Sequence, residues 1–455
     1  MKVSVDRIPS GVLEILATLK FNGDESFVAG GAVRDLLLER EPNDWDVATS
    51  ALPEEVLRLF PNSSPTGIDY GTITVHLPEM NVEVTTFRKD GEYVDGRRPK
   101  AVEFAKTAKE DVLRRDFTVN GLLLSANGEV VDYVDGLSDI HNKVIRAIGN
   151  PVDRFQQDKL RMMRCIRQAT CLGFKIDHTT WFALRNISDL VLCNDGNAIR
   201  TEMEKILVHD NVRTGMELFF FSGMLYFVMP EVHAIFGYDQ KNPHHMRNLW
   251  DHTMMAMECV PATVPLRLGA LFHDIGKPVS QSFGEDGVAH YFKHHLDSAD
   301  MAFAICERLK YPHAIRDKVV TIVREHMCRH HDMHRSGIKK FINRVGEDNL
   351  QDLFDLQFAD AVASRPPYKF NKWFDFQKEV FAILASKEPM SVNDLAINGH
   401  DLMRLGVNPG KEIGIAKVIL LQIVLDDPEK NTNEYLSNYI QELIRDCVIE
   451  GKLQP

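Results

Sequence analysis

Cysteine is scarce in this 455-residue chain: there are seven, and no two form a Cys-x-x-Cys pair. That argues against a zinc knuckle or a disulfide framework and fits a reduced, cytoplasmic setting. Long apolar runs are also missing. The most apolar window, residues 218–229, is far too short for a bilayer and stops at Pro230, so no membrane partner is expected. No basic start followed by an apolar core marks residues 1–11 as a signal peptide, and there is no internal repeat or low-complexity tract. Positive charge is in deficit too. A net charge of −12 argues against indiscriminate coating of nucleic acid, although a local basic track remains compatible with it. What is present is 44% apolar and 26% charged residues, the composition of a globular protein with a sizeable core. The length suits about three domains.

The chain becomes distinctive at residues 27–49. An apolar run enters Gly30-Gly31, and a helix-like segment leaves it through Val33 to Leu38. Two bare glycines let backbone N–H groups approach a phosphate, and a helix start adds a favourable dipole. Arg34, one turn in, has the guanidinium fork that clamps phosphate oxygens. Asp44 and Asp46 then flank Trp45 at the head of a strand-like run. Residues two apart on a strand share a face, so both carboxylates converge on one point and suit Mg²⁺ held against a triphosphate. A Gly-Gly pair alone is usually a turn, and a lone Asp-x-Asp is usually a solvated strand end. Their order and closeness favour nucleotidyl transfer.

Residues 1–25 have the helical stripe Ile8, Val12, Ile15, Leu16 and Leu19, and Pro53-Glu54-Glu55 starts another helix. Residues 72–77 and 82–87 read as paired strands, giving a head with a mixed or antiparallel sheet. Glu83, in the second strand, is a candidate third catalytic carboxylate, balanced against a plain solvent-facing glutamate. Residues 88–110 are polar, glycine-dotted and basic (Arg88, Lys89, Arg97, Arg98, Lys100, Lys106, Lys109) and read as a flexible loop or lid. In Arg114-Arg115-Asp116-Phe117-Thr118-Val119-Asn120, the arginines suit phosphate, while Asp116 and Asn120 suit a ribose hydroxyl. Asp158, Arg161, Arg164 and Arg167 then recur every three residues, as neighbours on a helix face do. An intrahelical salt bridge would explain one pair. A row of arginines behind a single acid favours an anionic ligand.

These motifs, in this order, resemble the class II tRNA nucleotidyltransferases, a family that includes CCA-adding enzymes, A-adding enzymes and bacterial poly(A) polymerases. The resemblance covers roughly the first 215 residues. It implies an α+β chain: a polymerase-β-like head with a small mixed sheet (1–145), an all-α neck carrying the nucleotide-base template (146–235), and helical segments beyond. It implies catalytic Mg²⁺ on Asp44 and Asp46. Gly30, Gly31, Arg34 and Arg115 would hold the incoming nucleotide, with Arg164 and Arg167 completing the pocket. Asp158 and Arg161 would read the base, since cytosine and adenine offer an amino donor where guanine and uracil offer a carbonyl. The implied substrates are CTP, ATP and tRNA. Two positions depart from the family pattern: Gln157 stands where a Glu usually precedes Asp158, and Asn197-Ala198-Ile199-Arg200-Thr201-Glu202 lacks the leading Glu-Arg of its motif. Both bear on nucleotide order, so an A-adding enzyme or poly(A) polymerase is the alternative to C-C-A addition.

From residue 236 the chain changes character. Asp251-His252, then His273-Asp274-Ile275-Gly276-Lys277 after an apolar helix, then His290, His294, His295, His326 and Asp360 suit one or two divalent cations. This resembles the HD phosphohydrolase domain (236–365). By position the resemblance implies His252, His273, Asp274, His294 and Asp360 as ligands of a second divalent metal. His326-Met327 stands where related domains often show His-Asp. A phosphohydrolase with an RNA-binding head is therefore the rival from another class. Residues 366–455 carry helical stripes such as Ile415, Val418, Ile419 and Ile423, and by resemblance form a tRNA-gripping tail. The sequence leaves oligomeric state open.

Overall fold

A computed structural model describes residues 1–90, 102–241, 246–328, 333–364, 366 and 370–445. Arg97, Arg98 and Lys100 of the basic stretch lie outside the described residues. The chain divides into two units. The first comprises Met1–Ala234, Ala262–Val264 and Ile305–Tyr311; the second comprises Ile235–Pro261, Pro265–Ala304 and Pro312–Pro455.

The first unit opens with helix α1 (Ser10–Phe21), whose Val12, Ile15, Leu16 and Leu19 are buried together with Ile8 before it. Strands β1 (Ser26–Ala29), β2 (Trp45–Thr49), β3 (Ser63–Gly67), β4 (Thr72–His76) and β5 (Asn81–Thr86) follow, separated by helices α2 (Gly31–Leu37) and α3 (Pro53–Leu59). After a hairpin of β6 (Arg88–Asp90) and β7 (Val102–Phe104) and helix α4 (Ala108–Leu113) come β8 (Leu122–Leu124) and β9 (Val130–Asp132). The seven-stranded sheet has the order β3-β4-β5-β2-β1-β8-β9. All neighbours are antiparallel except β2 and β5, so the sheet is mixed. Register sets chemistry here. Val47 pairs with Val84 and both are buried, while one residue earlier Asp46 pairs with Glu83. Because side chains alternate, the core valines place these acids on the opposite face.

The flanks of the expected loop are regular. Besides the β6–β7 pairing, Thr107 caps α4 by accepting from the Glu110 N–H at 3.4 Å. A Thr-x-x-Glu helix start is a local signal that outweighs the surrounding polarity.

Helices α5 (Gly136–Asn142), α6 (Pro151–Gln157) and α7 (Leu160–Leu172) lead into the neck. The Arg161–Arg164–Arg167 row lies on α7, but Asp158 does not. It sits in extended backbone at the end of α6, where its Oδ1 accepts from the Leu160 N–H at 3.0 Å. A short acceptor side chain caps the next helix more readily than it continues the previous one. The neck is not purely helical, since Val144–Ile145 and Lys175–Ile176 pair in parallel.

Among the described residues, the regular structure of the second unit is helical apart from the hairpin Gln281–Phe283 and Ala289–Tyr291. Helix Glu347–Ala363 packs against both Leu249–Cys259 and His313–Glu325. In the tail helix Lys411–Asp426 the buried face is Ala416, Leu420 and Val424, packed with Leu402, Leu436 and Ile440. The expected stripe of Ile415, Val418, Ile419 and Ile423 is off that face, and Val418 is 59% exposed. With apolar residues nearly all round this helix, periodicity alone does not choose the side. No described helix is long and apolar enough to cross a membrane.

Candidate functional site

Within the first unit a cleft of about 490 Å³ is lined by Gly30, Gly31, Arg34, Asp44, Asp46, Glu83, Arg115, Asp116, Asn120, Arg161, Arg164 and Arg167. The cleft thus brings together twelve of the thirteen head and neck candidates. The exception, Asp158, is not on its wall and lies 3.8 Å behind the Arg161 Nε. Arg88, Arg114, Gln168 and Lys205 join the lining, so eight cations face four acids in a chain whose net charge is −12. Such a local excess recruits a polyanion.

Three of the acids come from the sheet side: Asp46 on β2, Glu83 on β5 and Asp44 just before β2. Asp46 is half-buried, whereas Asp44 and Glu83 are exposed. Burial, then the neighbouring Glu83 carboxylate, pushes the Asp46 pKa up to about 6 against the opposing pull of Arg115. Negative charge is therefore undercompensated at this point, and a divalent cation would relieve it. Asp44, Asp46 and Glu83 do not close into a tight ligand cage. Mg²⁺ is typically held by one or two carboxylates plus waters and substrate phosphates, so an open acid pair fits it. Gly30 sits between the acids and the cations with φ +72°. A Cβ there would lie 3.3 Å from Arg115 Nη1 and 3.6 Å from Asp46 Oδ2. The positive φ favours glycine, and an added Cβ would press on the Arg115 guanidinium.

The cations are held by partners that sequence reading overlooked. Asp111, almost fully buried, takes Arg114 on one oxygen at 2.7 Å and Arg115 on the other at 3.0 Å. Burial opposes its charge, but Arg115 and Arg114 outweigh that and keep its pKa below the usual range. The spacing of three and four residues was the available signal. Arg34 Nη1 donates to Asn120 Oδ1 at 2.7 Å, and Asn120 Nδ2 donates to Asp116 Oδ1 at 3.3 Å. Arg164 pairs with Asp116 at 2.6 Å, and Arg167 pairs with Glu202. Arg161 is 6% exposed: Nη1 donates to the Arg154 carbonyl at 3.2 Å and to Gln157 Oε1 at 3.3 Å, and Nη2 donates to the Arg114 carbonyl at 3.1 Å. Arg154 donates to the same two acceptors, Gln157 Oε1 at 3.2 Å and the Arg114 carbonyl at 3.0 Å. Neutral Gln157 thus anchors both arginines.

The second unit holds a different centre. His252, His273, Asp274 and Asp360 converge within 4.8 Å, and so do Asp274, His294 and His326; all are buried. Every HD candidate is included, and His326 joins them. Its signal was helical position, at the end of His313–Glu325, rather than a doublet. Burial works against charge on Asp274, but His273, Lys277 and hydrogen bonds hold its pKa well below the usual range. For His252 burial lowers the pKa, yet Asp274 and Asp360 raise it to about 9; His326 is pushed down to about 4 by burial. The donor set, imidazoles with carboxylates, suits a divalent transition metal.

Three family models match the chain: poly(A) polymerase head domain over residues 26–146, probable RNA and SrmB-binding site of polymerase A over 173–236, and HD domain over 245–365. A CCA-adding enzyme of Lactobacillus helveticus is 27% identical over 97% of this chain and 100% of that protein. One from Enterococcus faecalis is 42% identical, but the match spans 45% of this chain and 50% of that protein. Among solved structures, the Bacillus stearothermophilus CCA-adding enzyme in complex with CTP superposes with a TM-score of 0.71 at 24% identity, covering 96% of this chain and 97% of that one.

Proposed function

We propose that this chain, whose residues 26–146 match the poly(A) polymerase head domain, adds C, C and A to tRNA 3′ ends from CTP and ATP without a nucleic-acid template. The observation that carries this reading is one cleft lined both by the acid pair and by a row of arginines from the neck. Asp44 and Asp46 would hold Mg²⁺, which supplies an activated 3′ hydroxyl and charge neutralisation at the triphosphate. Arg34 and Arg115, already oriented by Asn120 and Asp111, would bind the phosphates. Asp116 and Asn120 would orient the ribose, and Glu83 would steady the acid end beside Asp46. Arg161 would donate to the base, and Asp158, turned into the cleft from its place 3.8 Å from Arg161 Nε, would accept from the amino group of cytosine or adenine; guanine and uracil would set a carbonyl against that carboxylate. The buried histidine-rich centre is read as a second, transition-metal site of the HD domain. The partners are tRNA and the two triphosphates, and the cytoplasm is the setting.

A tRNA lacking its last three nucleotides, offered CTP and ATP singly and together, tests the reading. Addition of two C and then one A is expected. ATP incorporation without CTP incorporation would replace it with A-only or poly(A) addition.

A further inference from the structure

We propose that one face of strands β3, β4 and β5, a neutral strip of hydroxyls leading outward from Asp46 and Glu83, seats the unpaired 3′ end of the RNA by hydrogen bonds to its ribose 2′-hydroxyls. The inference rests on reading the cleft as a site of nucleotide addition to RNA. It goes further in assigning the seat of the strand that is extended.

Register builds the strip. Asp46 on β2 pairs with Glu83 on β5, Glu83 with Thr74 on β4, and Thr74 with Ser64 on β3. Paired positions on neighbouring strands point to the same face, so these four side chains form one rung across the sheet. The rung on one side carries Thr85 and Thr72, both on the wall of the cleft, and the rung on the other carries Asn81 and His76. The alternate residues Val82, Val84, Ile73 and Val75 are buried in the core, which fixes the polar set on the opposite face. Thr66, Asn81 and Glu83 are exposed on it. Three strand spacings of about 4.8 Å carry the strip about 14 Å from Asp46 to the edge strand β3, room for a few nucleotides.

Chemistry selects the ligand. Beyond Glu83 the strip is neutral, while Arg34, Arg115 and Arg161 stand on other elements and meet the phosphates and base of the incoming nucleotide. A serine or threonine hydroxyl both donates and accepts, as does the 2′-hydroxyl that marks RNA. The strip is also organised before any ligand arrives. Thr72 Oγ1 and Thr85 Oγ1 are 2.9 Å apart, and Thr74 is bonded to Thr66 through their hydroxyls. Within such a pair one hydroxyl gives its proton to the other, whose own proton is left to donate outward. His76 Nδ1 lies 2.8 Å from Asn81 Oδ1, and Nε2 lies 2.9 Å from Ser64 Oγ. An amide oxygen only accepts, so Nδ1 donates to it. In the neutral ring Nε2 then takes the Ser64 proton and leaves the serine oxygen as an acceptor. The 3′-terminal hydroxyl has to reach Asp44 and Asp46, so the nucleotides before it lie over Thr74 and Ser64.

The test uses the full chain and a tRNA lacking only its terminal A, with ribose or 2′-deoxyribose at the two nucleotides before its 3′-terminal one, extended with ATP. In the parent, KM for the deoxy RNA should stand about tenfold above KM for the ribose RNA. Thr74→Val combined with Ser64→Ala should raise KM for the ribose RNA about tenfold and leave KM for ATP within about twofold. The same variant should treat the two RNAs alike, because mutation and deoxy substitution remove partners of one another. Should it fail to fold by circular dichroism, Ser64→Ala alone is read in its place, with a rise of about threefold and a smaller ribose preference. Equal KM for the two RNAs in the parent, or an undiminished ribose preference in the folded variant, overturns the strip. A rise in KM for ATP as large as that for RNA also overturns it, since the strip would then lie under the incoming nucleotide. Failure of the parent to extend either RNA overturns instead the reading of the cleft itself.

Discussion

The cleft of the first unit and the histidine-rich centre of the second both gather acids, but in opposite environments. Asp44 and Glu83 are exposed and Asp46 half-buried, while His252, His273, Asp274, His294 and His326 are each at most 5% exposed. The cleft offers carboxylate oxygens and is open; the centre offers imidazole nitrogens beside the carboxylates of Asp274 and Asp360 and is closed. Openness suits an ion that arrives with a nucleotide and leaves with pyrophosphate. Closure suits an ion that stays through many turnovers.

The sharpest way to break this comparison is at the acid pair. Asp44→Ala or Asp46→Ala should lower nucleotide incorporation by about 10³-fold or more, while the circular dichroism spectrum stays that of the parent. Normal incorporation by either variant would remove the cleft from the chemistry. In the second unit, Asp274→Ala leaves buried Lys277 without its carboxylate and should destabilise the fold by about 3–5 kcal/mol, read as a lowered denaturant midpoint. Incorporation per folded molecule should stay within about twofold, because the two sites do different work. A midpoint equal to the parent's would mean that Asp274 is not bearing that charge.

Acidity separates the two regions further. The Asp46 carboxyl, raised to about 6, must be ionised to hold Mg²⁺, so Mg²⁺ affinity should fall as pH drops below about 6. The sign for stability is reversed. A folded-state pKa above the unfolded value means the metal-free fold loses stability as pH rises from the ordinary carboxylate range through about 6. Asp46→Asn should therefore raise the metal-free melting temperature at pH 8 by a few degrees, equivalent to about 1–3 kcal/mol, while abolishing incorporation. A lowered melting temperature would contradict the cited burial and repulsion. Smaller again is Asp111→Asn, which weakens the hold on Arg114 and Arg115 and should raise KM for CTP and ATP alike by about tenfold, with kcat falling less. A KM change confined to one triphosphate would show that the arginines reach the base.

Legibility followed the range of each signal. The arginine row of α7 is legible because helix periodicity puts it on one element, and the acid pair because Asp46 lies on β2 with Asp44 just before its first residue. Asp158 falls outside the helix that its spacing suggests, because its side chain accepts from the Leu160 N–H just ahead of α7. Glu202 and Arg154 were invisible as partners because their contacts close over 35 and 40 residues and depend on tertiary packing. His326 lacked the neighbouring Asp that marks a motif, and only folding sets it opposite Asp274. In the tail, Lys411–Asp426 is apolar nearly all round, so periodicity does not select the buried face of Ala416, Leu420 and Val424.

One carbonyl deserves a longer view. Arg114 O receives Arg154 and Arg161 together, while the Arg114 side chain shares Asp111 with Arg115. Under the proposed roles, the arginine that would read the base and the one that would grip the phosphates are thus tied together through Arg114. A drift in one displaces the other, so preference for a base and speed of transfer are not independent dials for mutation to turn. Attempts to retune this protein towards other nucleotides should move both together.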